Sequence, residues 1–149
     1  MKSSNITPPK NTPQVGKNGI RATNIQGLHD ETVIFSFKYL DCYSEKFEFD
    51  SRDSKYFLSL ISRIRDVSTM KAVDFEQKYN KTLRNHPIDW RHSKISESTL
   101  GIKGRADVDD KAFQFSISSN EHGRVHGFLI DTIFFVRWLD HEHKLYPVD

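Results

Sequence analysis

Arg124 and His126 stand two positions apart in a stretch patterned as a β-strand, so their side chains share one face. Lys144 and Tyr146 repeat that spacing near the end of the chain, with His143 just before them. If successive strands double back on one another, the end of the last returns toward the start of the middle one. An arginine, two histidines, a lysine and a tyrosine then gather on one concave surface. These residue types suit cleavage of an RNA phosphodiester by its own 2′-OH. Arg124 and Lys144 would neutralise the phosphate and its pentacoordinate transition state. His126 or His143, supported by Tyr146, would move protons to and from the 2′-OH and the leaving group. An imidazole serves in either role because its ordinary pKa lies near ~6.5. Nothing in this scheme requires a metal ion or an organic cofactor. On spacing alone, the same residues also describe a solvated sheet face of mixed polar side chains.

A second group of functional types lies upstream. Arg84, His86, Trp90, Arg91 and His92 fall in one short polar and aromatic segment stiffened by Pro87. Basic residues around an indole could bind RNA or a protein partner, with Trp90 as the stacking residue. The histidines are unevenly placed: of seven, only His29 precedes residue 86. His141 and His143 have a spacing a metal could use, but no matching carboxylate or cysteine pair accompanies them, so no metal site is assigned. Cys42 is the only cysteine, which excludes an intramolecular disulfide and a cysteine-rich metal centre. No Walker loop, dinucleotide fingerprint, G-x-S-x-G or H-E-x-x-H is present.

The elements that must position these residues follow from hydrophobic periodicity. A chain of 149 residues fits one domain with a real core. Eleven Phe, two Trp and five Tyr favour an aromatic β core over a helical bundle. A net charge of +2 permits nucleic-acid binding without arguing for it. No apolar run is long enough to span a membrane and the amino terminus lacks a signal-peptide pattern, so the expected location is the cytoplasm. Residues 1–21, rich in Ser, Pro, Lys and Gly, read as a flexible arm, and residues 22–149 as a single domain.

Thr32–Leu40 and Lys46–Asp50 alternate and predict a β-hairpin. Phe57, Leu60, Ile61 and Ile64 fall at helical spacing and predict an amphipathic helix from about Ser54 to Asp66. A second helix is expected from about Lys71 to Leu83, then an irregular segment over residues 84–110. Ala112–Ser118, Arg124–Ile130 and Ile133–Leu139 predict a three-stranded antiparallel meander. The expected fold class is α+β, with the helices on one face of the sheet. Phe113, Phe115, Ile117, Ile133, Phe135 and Leu139 are the expected sheet core.

The closing pattern carries a resemblance. Phe113, Phe115 and Ile117, then Gly123-Arg124-Val125-His126-Gly127-Phe128, then the apolar run Ile133–Asp140, then His143-Lys144-Leu145-Tyr146, resembles the carboxyl half of RelE/ParE-like toxins. Arg124 matches their strand arginine, His143 and Lys144 their histidine–basic pair, and Tyr146 their terminal tyrosine. The resemblance implies a toxin-type endoribonuclease of a toxin–antitoxin or phage-defence system. It also implies ribosome-bound or free mRNA as substrate and a protein antitoxin as partner. The amino-terminal arm, opening hairpin and long 84–110 segment depart from that pattern. The whole chain also resembles small bacterial and phage-associated proteins sharing Leu83-Arg84-Asn85-His86-Pro87-Ile88 with Trp90, and Gly123–Asp131, a resemblance that brings no activity with it. The alternative is a non-catalytic RNA- or protein-binding module, including an antitoxin or immunity protein.

Overall fold

A computed structural model describes residues 31–147. The arm expected over residues 1–21 lies outside them. The elements are β1 (Ile34–Ser36), α1 (Ser54–Ser68), α2 (Ala72–Gln77), β2 (His86–Pro87), a 3-10 helix (Ala106–Lys111), β3 (Ala112–Ser116), β4 (Arg124–Ile130) and β5 (Ile133–Asp140). They form a mixed α+β fold on a five-stranded sheet of order β1-β5-β4-β3-β2. Among the described residues no helix is long and apolar enough to cross a membrane.

The expected opening hairpin is absent. Ile34–Ser36 is the only strand of that segment, and it runs parallel to β5, with Ile34 opposite Ile133 and Ser36 opposite Phe135. Residues 46–50 form no strand. Phe47 and Phe49, alike in the sequence pattern, enter different layers of the fold. Phe47 stacks on Trp138 at 4.5 Å between ring centroids, while Phe49 packs in the helix layer. Alternation in so short a segment does not distinguish a strand from a chain wrapping a sheet edge.

Helix α1 starts where Asp53 accepts a hydrogen bond from the Tyr56 N–H at 2.9 Å, an N-cap that satisfies one otherwise orphaned donor. Its buried stripe is Tyr56, Leu60 and Val67, with Ile64 half-buried beside them. Phe57 and Ile61 were expected inside; both are exposed, Ile61 at 58%. Two apolar stripes on this helix satisfy the same period, and the longer one wins because it spans every turn. Arg63 fixes that rotation by donating from Nε to the Ile117 carbonyl at 2.9 Å.

Helix α2 is only six residues long and does not reach Leu83. Asparagines end it. Asn85 is buried and donates through Nδ2 to the carbonyls of Phe75 at 2.6 Å and Lys78 at 2.9 Å. Its Oδ1 accepts from the Asn80 N–H, and Asn80 in turn accepts from the N–H groups of Thr82 and Leu83. These side chains replace the next helical turn, as asparagine does readily. They also anchor the backbone on either side of Arg84.

The sheet separates two apolar layers. Phe113, Phe115, Ile117, Val125, Leu129, Phe134, Val136 and Leu139 pack with Tyr56, Leu60 and Phe75 from the helices. On the opposite face Ala112, Phe128 and Trp138 pack with Phe47, Leu100, Val108 and Leu145, which come from outside helices and strands or from the 3-10 helix. Ile133 and Phe135, expected in the core, are only half-buried, and Phe134 and Val136 take the places beneath the helices.

A β-bulge in the β4–β5 pair decides the rest. Ile130 pairs with Ile133 and Gly127 with Val136, but His126 pairs with Trp138 and Arg124 with Asp140. Arg137 is therefore the extra residue. It turns Trp138 and Asp140 onto the same face as Phe135. Arg137 is tied into the surrounding loops, donating to the carbonyls of Leu100, Tyr39 and Gly101. Only glycine fits at position 127: a Cβ there would lie 2.0 Å from the Phe135 carbonyl oxygen.

Candidate functional site

With strand faces alternating, β3 presents Gln114 and β4 presents Arg124 and His126 on the side away from the helices. The bulge brings Asp140 of β5 to the same side. The segment after β2 and the end of the chain close over this face and leave a cleft of about 490 Å³. That is within the size range of small-ligand pockets, roughly 300–1,000 Å³. Its walls include Arg124, His126, Asp140, His143 and Tyr146, together with His86, His92 and Gln114.

At its base His126 and Asp140 form a closed pair. Nε2 of His126 lies 3.0 Å from Oδ2 of Asp140, and the two side chains are 1% and 2% exposed. Asp140 also accepts the N–H groups of Lys144 at 2.7 Å and Leu145 at 2.9 Å. Burial opposes the charge of Asp140, but the His126 hydrogen bond and these two N–H groups outweigh it. Its carboxyl is held below the usual carboxylate range. At His126 burial dominates over the attraction of Asp140, and the imidazole is held below its ordinary value. A neutral ring beside an ionised Asp140 carries its proton on Nε2 and its lone pair on Nδ1. Nδ1 is buried and has no hydrogen-bond partner. Trp138 and Phe47 edge the ring at 6.5 Å and supply its apolar surround.

Arg124 is half-buried above this pair, and its Nη1 is buried with no partner. Burial, then the charge of Arg84, lowers its pKa. His143 stands beside it with φ 56°, a left-handed conformation uncommon outside glycine. Such backbone costs on the order of 1–3 kcal/mol and clusters at functional sites. Burial, then the charge of Arg124, lowers the His143 pKa.

The other expected residues divide. Tyr146 lines the cleft, but its hydroxyl accepts the Asp89 N–H at 2.9 Å, and burial raises its pKa. It is a latch between the chain end and the segment after β2, with His92 edge-on at 5.3 Å. Lys144 is outside the cleft lining; its ammonium faces Glu142 at 3.3 Å, and its N–H serves Asp140. Arg84 opens into a neighbouring polar cavity that shares Arg124 and His143. His86 is in the cleft, where its Nε2 meets the Gln114 amide at 2.9 Å. Trp90 is tied down by its indole N–H on the Asp109 carbonyl at 2.7 Å, and Arg91 is exposed outside the cleft. Among the described residues no group of three or more His, Cys, Asp or Glu could hold a metal ion.

Asp140 and Gln114 are the residues that sequence reasoning missed. Gln114 was legible as the polar member of an alternating strand. Asp140 was not, because an unbulged hairpin would turn it to the helix face.

No protein-family model, curated protein or solved structure matches the chain. The chemistry of the cleft is therefore read from its own residues.

Proposed function

We propose that the chain is a metal-independent endoribonuclease of toxin type. The observation that carries it is the buried His126–Asp140 pair at the base of a cleft that also holds Arg124 and His143. Nδ1 of His126, oriented by Asp140 and uncovered as the substrate displaces the side chains over it, takes the proton of the 2′-OH. The 2′-oxygen attacks phosphorus, and Arg124 stabilises the charge that grows on the phosphoryl oxygens. His143 protonates the departing 5′-oxygen. Burial, then the charge of Arg124, holds the His143 pKa low; a bound phosphate offsets the second and adds a negative charge beside the ring, which favours the protonated form. The products are a 2′,3′-cyclic phosphate and a 5′-hydroxyl. The resemblance of the carboxyl third to RelE/ParE-like toxins supports placing this activity in a toxin–antitoxin or phage-defence pair, with mRNA as substrate and a protein antitoxin over the cleft. A non-catalytic module that binds through Arg84–His92 has less support, because the Trp90 indole is already engaged with Asp109.

The test is incubation of the purified chain with end-labelled single-stranded RNA in EDTA. The expected result is cleavage to 2′,3′-cyclic phosphate ends, blocked by 2′-deoxy substitution at the cut site and lost in His126→Ala. Undiminished cleavage by a folded His126→Ala variant would overturn the mechanism. Failure of the folded chain to cut any RNA, with no growth arrest on induced expression, would overturn the activity.

A further inference from the structure

We infer that the polar cavity beside the cleft is a second phosphate subsite, in which Arg84 binds the phosphate next to the scissile one in an RNA strand while Arg124, on the wall the two cavities share, serves the scissile phosphate. The identity of the ligand rests on the endoribonuclease reading; the anion chemistry rests on the cavity itself.

The cavity holds about 190 Å³ and is lined by Arg84, Ser118, Ser119, Asn120, Arg124 and His143, together with Ser116, Gly123 and Glu121. No apolar side chain lines it. It therefore differs in character from the cleft, whose walls include Tyr146 and Pro147. A sugar and base fit the cleft wall; a phosphate fits the cavity.

Neither Arg84 nor Arg124 makes an ion pair among the described residues, the Asp140 carboxylate across the ladder acting on Arg124 only at longer range, and Nη1 of Arg124 is buried without a hydrogen bond. The two guanidinium charges are near enough that Arg84 acts electrostatically on Arg124. Two like charges that share a cavity with unused donors are a receptor for an anion, and the planar guanidinium matches phosphate oxygens in pairs. The one carboxylate at the rim, Glu121, is 77% exposed and turned to His122 at 3.4 Å.

The backbone supports the same assignment. Arg84 has φ 51°, a strained value for a long side chain, and the buried Asn85 network fixes the chain immediately after it. The loop backbone that carries Arg84 is thus fixed at the mouth of the cavity. Arg124 and His143 line both cavities, so one strand can pass from cleft to cavity without a break.

Binding is measured apart from cleavage by using thymidylate oligomers, which lack the 2′-OH. Oligomers with one and with two internucleotide phosphates are titrated by calorimetry against the wild type, Arg84→Gln and Arg84→Lys, each checked for folding by its melting curve. The wild type is expected to prefer the two-phosphate oligomer by about ten-fold, the equivalent of one charge-assisted contact. Arg84→Gln is expected to erase that preference and to leave one-phosphate affinity within about two-fold, since Arg124 still serves that phosphate. Arg84→Lys should retain part of it. The salt dependence of two-phosphate binding should flatten by about 0.7 in log–log slope in Arg84→Gln. No preference in the wild type, or equal weakening of both oligomers by Arg84→Gln, would overturn the subsite. An Arg84-dependent preference in a chain that cuts no RNA would uphold the anion subsite while the endoribonuclease reading fell.

Discussion

His126 and Asp140 meet at 3.0 Å because Arg137 bulges out of β5 between the Val136 and Trp138 rungs, which shifts every later residue of the strand by one. In an unbulged β4–β5 hairpin continuing the Ile130–Ile133 register, His126 would lie opposite Arg137, and Asp140 would face the helices. One extra residue thus exchanges a buried carboxylate between a face where it has no partner and a face where it has three. The local backbone device and the candidate chemistry are the same feature.

Gly127→Ala tests that device. The new Cβ would lie 2.0 Å from the Phe135 carbonyl oxygen and 2.8 Å from the Phe134 ring, and backbone cannot move aside as a flexible side chain can. We expect a loss of about 3 kcal/mol or more in urea denaturation, at the upper end of overpacking costs. Stability within about 0.5 kcal/mol of the wild type would mean that the bulge is absent.

Asp140→Asn tests the orientation of His126. Asp140 touches the imidazole rather than a substrate, so it is a positioning residue. RNA cleavage per folded molecule should fall by about 10²–10⁴-fold, the usual scale of an acid–base contribution. The acid limb of the rate profile should also move to lower pH. The carboxylate favours the imidazolium, and its removal leaves burial to depress the His126 pKa further. A rate loss with an unmoved acid limb would argue that Asp140 acts only in folding.

Melting temperature against pH reports the burial of His126. Its folded pKa is lowered, so the unfolded chain binds the proton more readily than the folded one. The stability this contributes is fully present above the unfolded pKa near ~6.5 and is lost progressively as pH falls toward the folded value. Within that window the slope for one proton is about 1.4 kcal/mol per pH unit. His126→Phe should be less steep between about pH 6.5 and pH 5 than the wild type. Asp140, lowered as well, contributes in the same sense at more acid pH. Parallel curves for the two proteins would show that His126 is solvated and titrates normally.

Leu60→Ala and Ile61→Ala test which stripe of α1 faces the sheet. Leu60 is 4% exposed and Ile61 58%. The first substitution should cost about 2–5 kcal/mol and the second less than about 1 kcal/mol. The reverse order would restore the helix rotation that the Phe57–Ile61 spacing suggests.

The sequence by itself determined the strand positions around Phe113–Phe115, Arg124–Ile130 and Ile133–Leu139, and the existence of α1. Period-two alternation and helical spacing are local properties, fixed by how backbone geometry directs successive side chains. It also placed Arg124, His126, His143 and Tyr146 among the candidates, because residue chemistry is visible without a fold. The tertiary structure decided which of them meet. Lys144 turns to Glu142, Trp90 turns to Asp109, and Asp140 enters the cleft through a bulge whose only trace in the sequence is a glycine. The parallel pairing of β1 with β5 and the separation of Phe47 from Phe49 belong to the same class. Each depends on contacts between residues far apart in the chain, where competing local patterns are equally good and only the packing of the whole core selects between them.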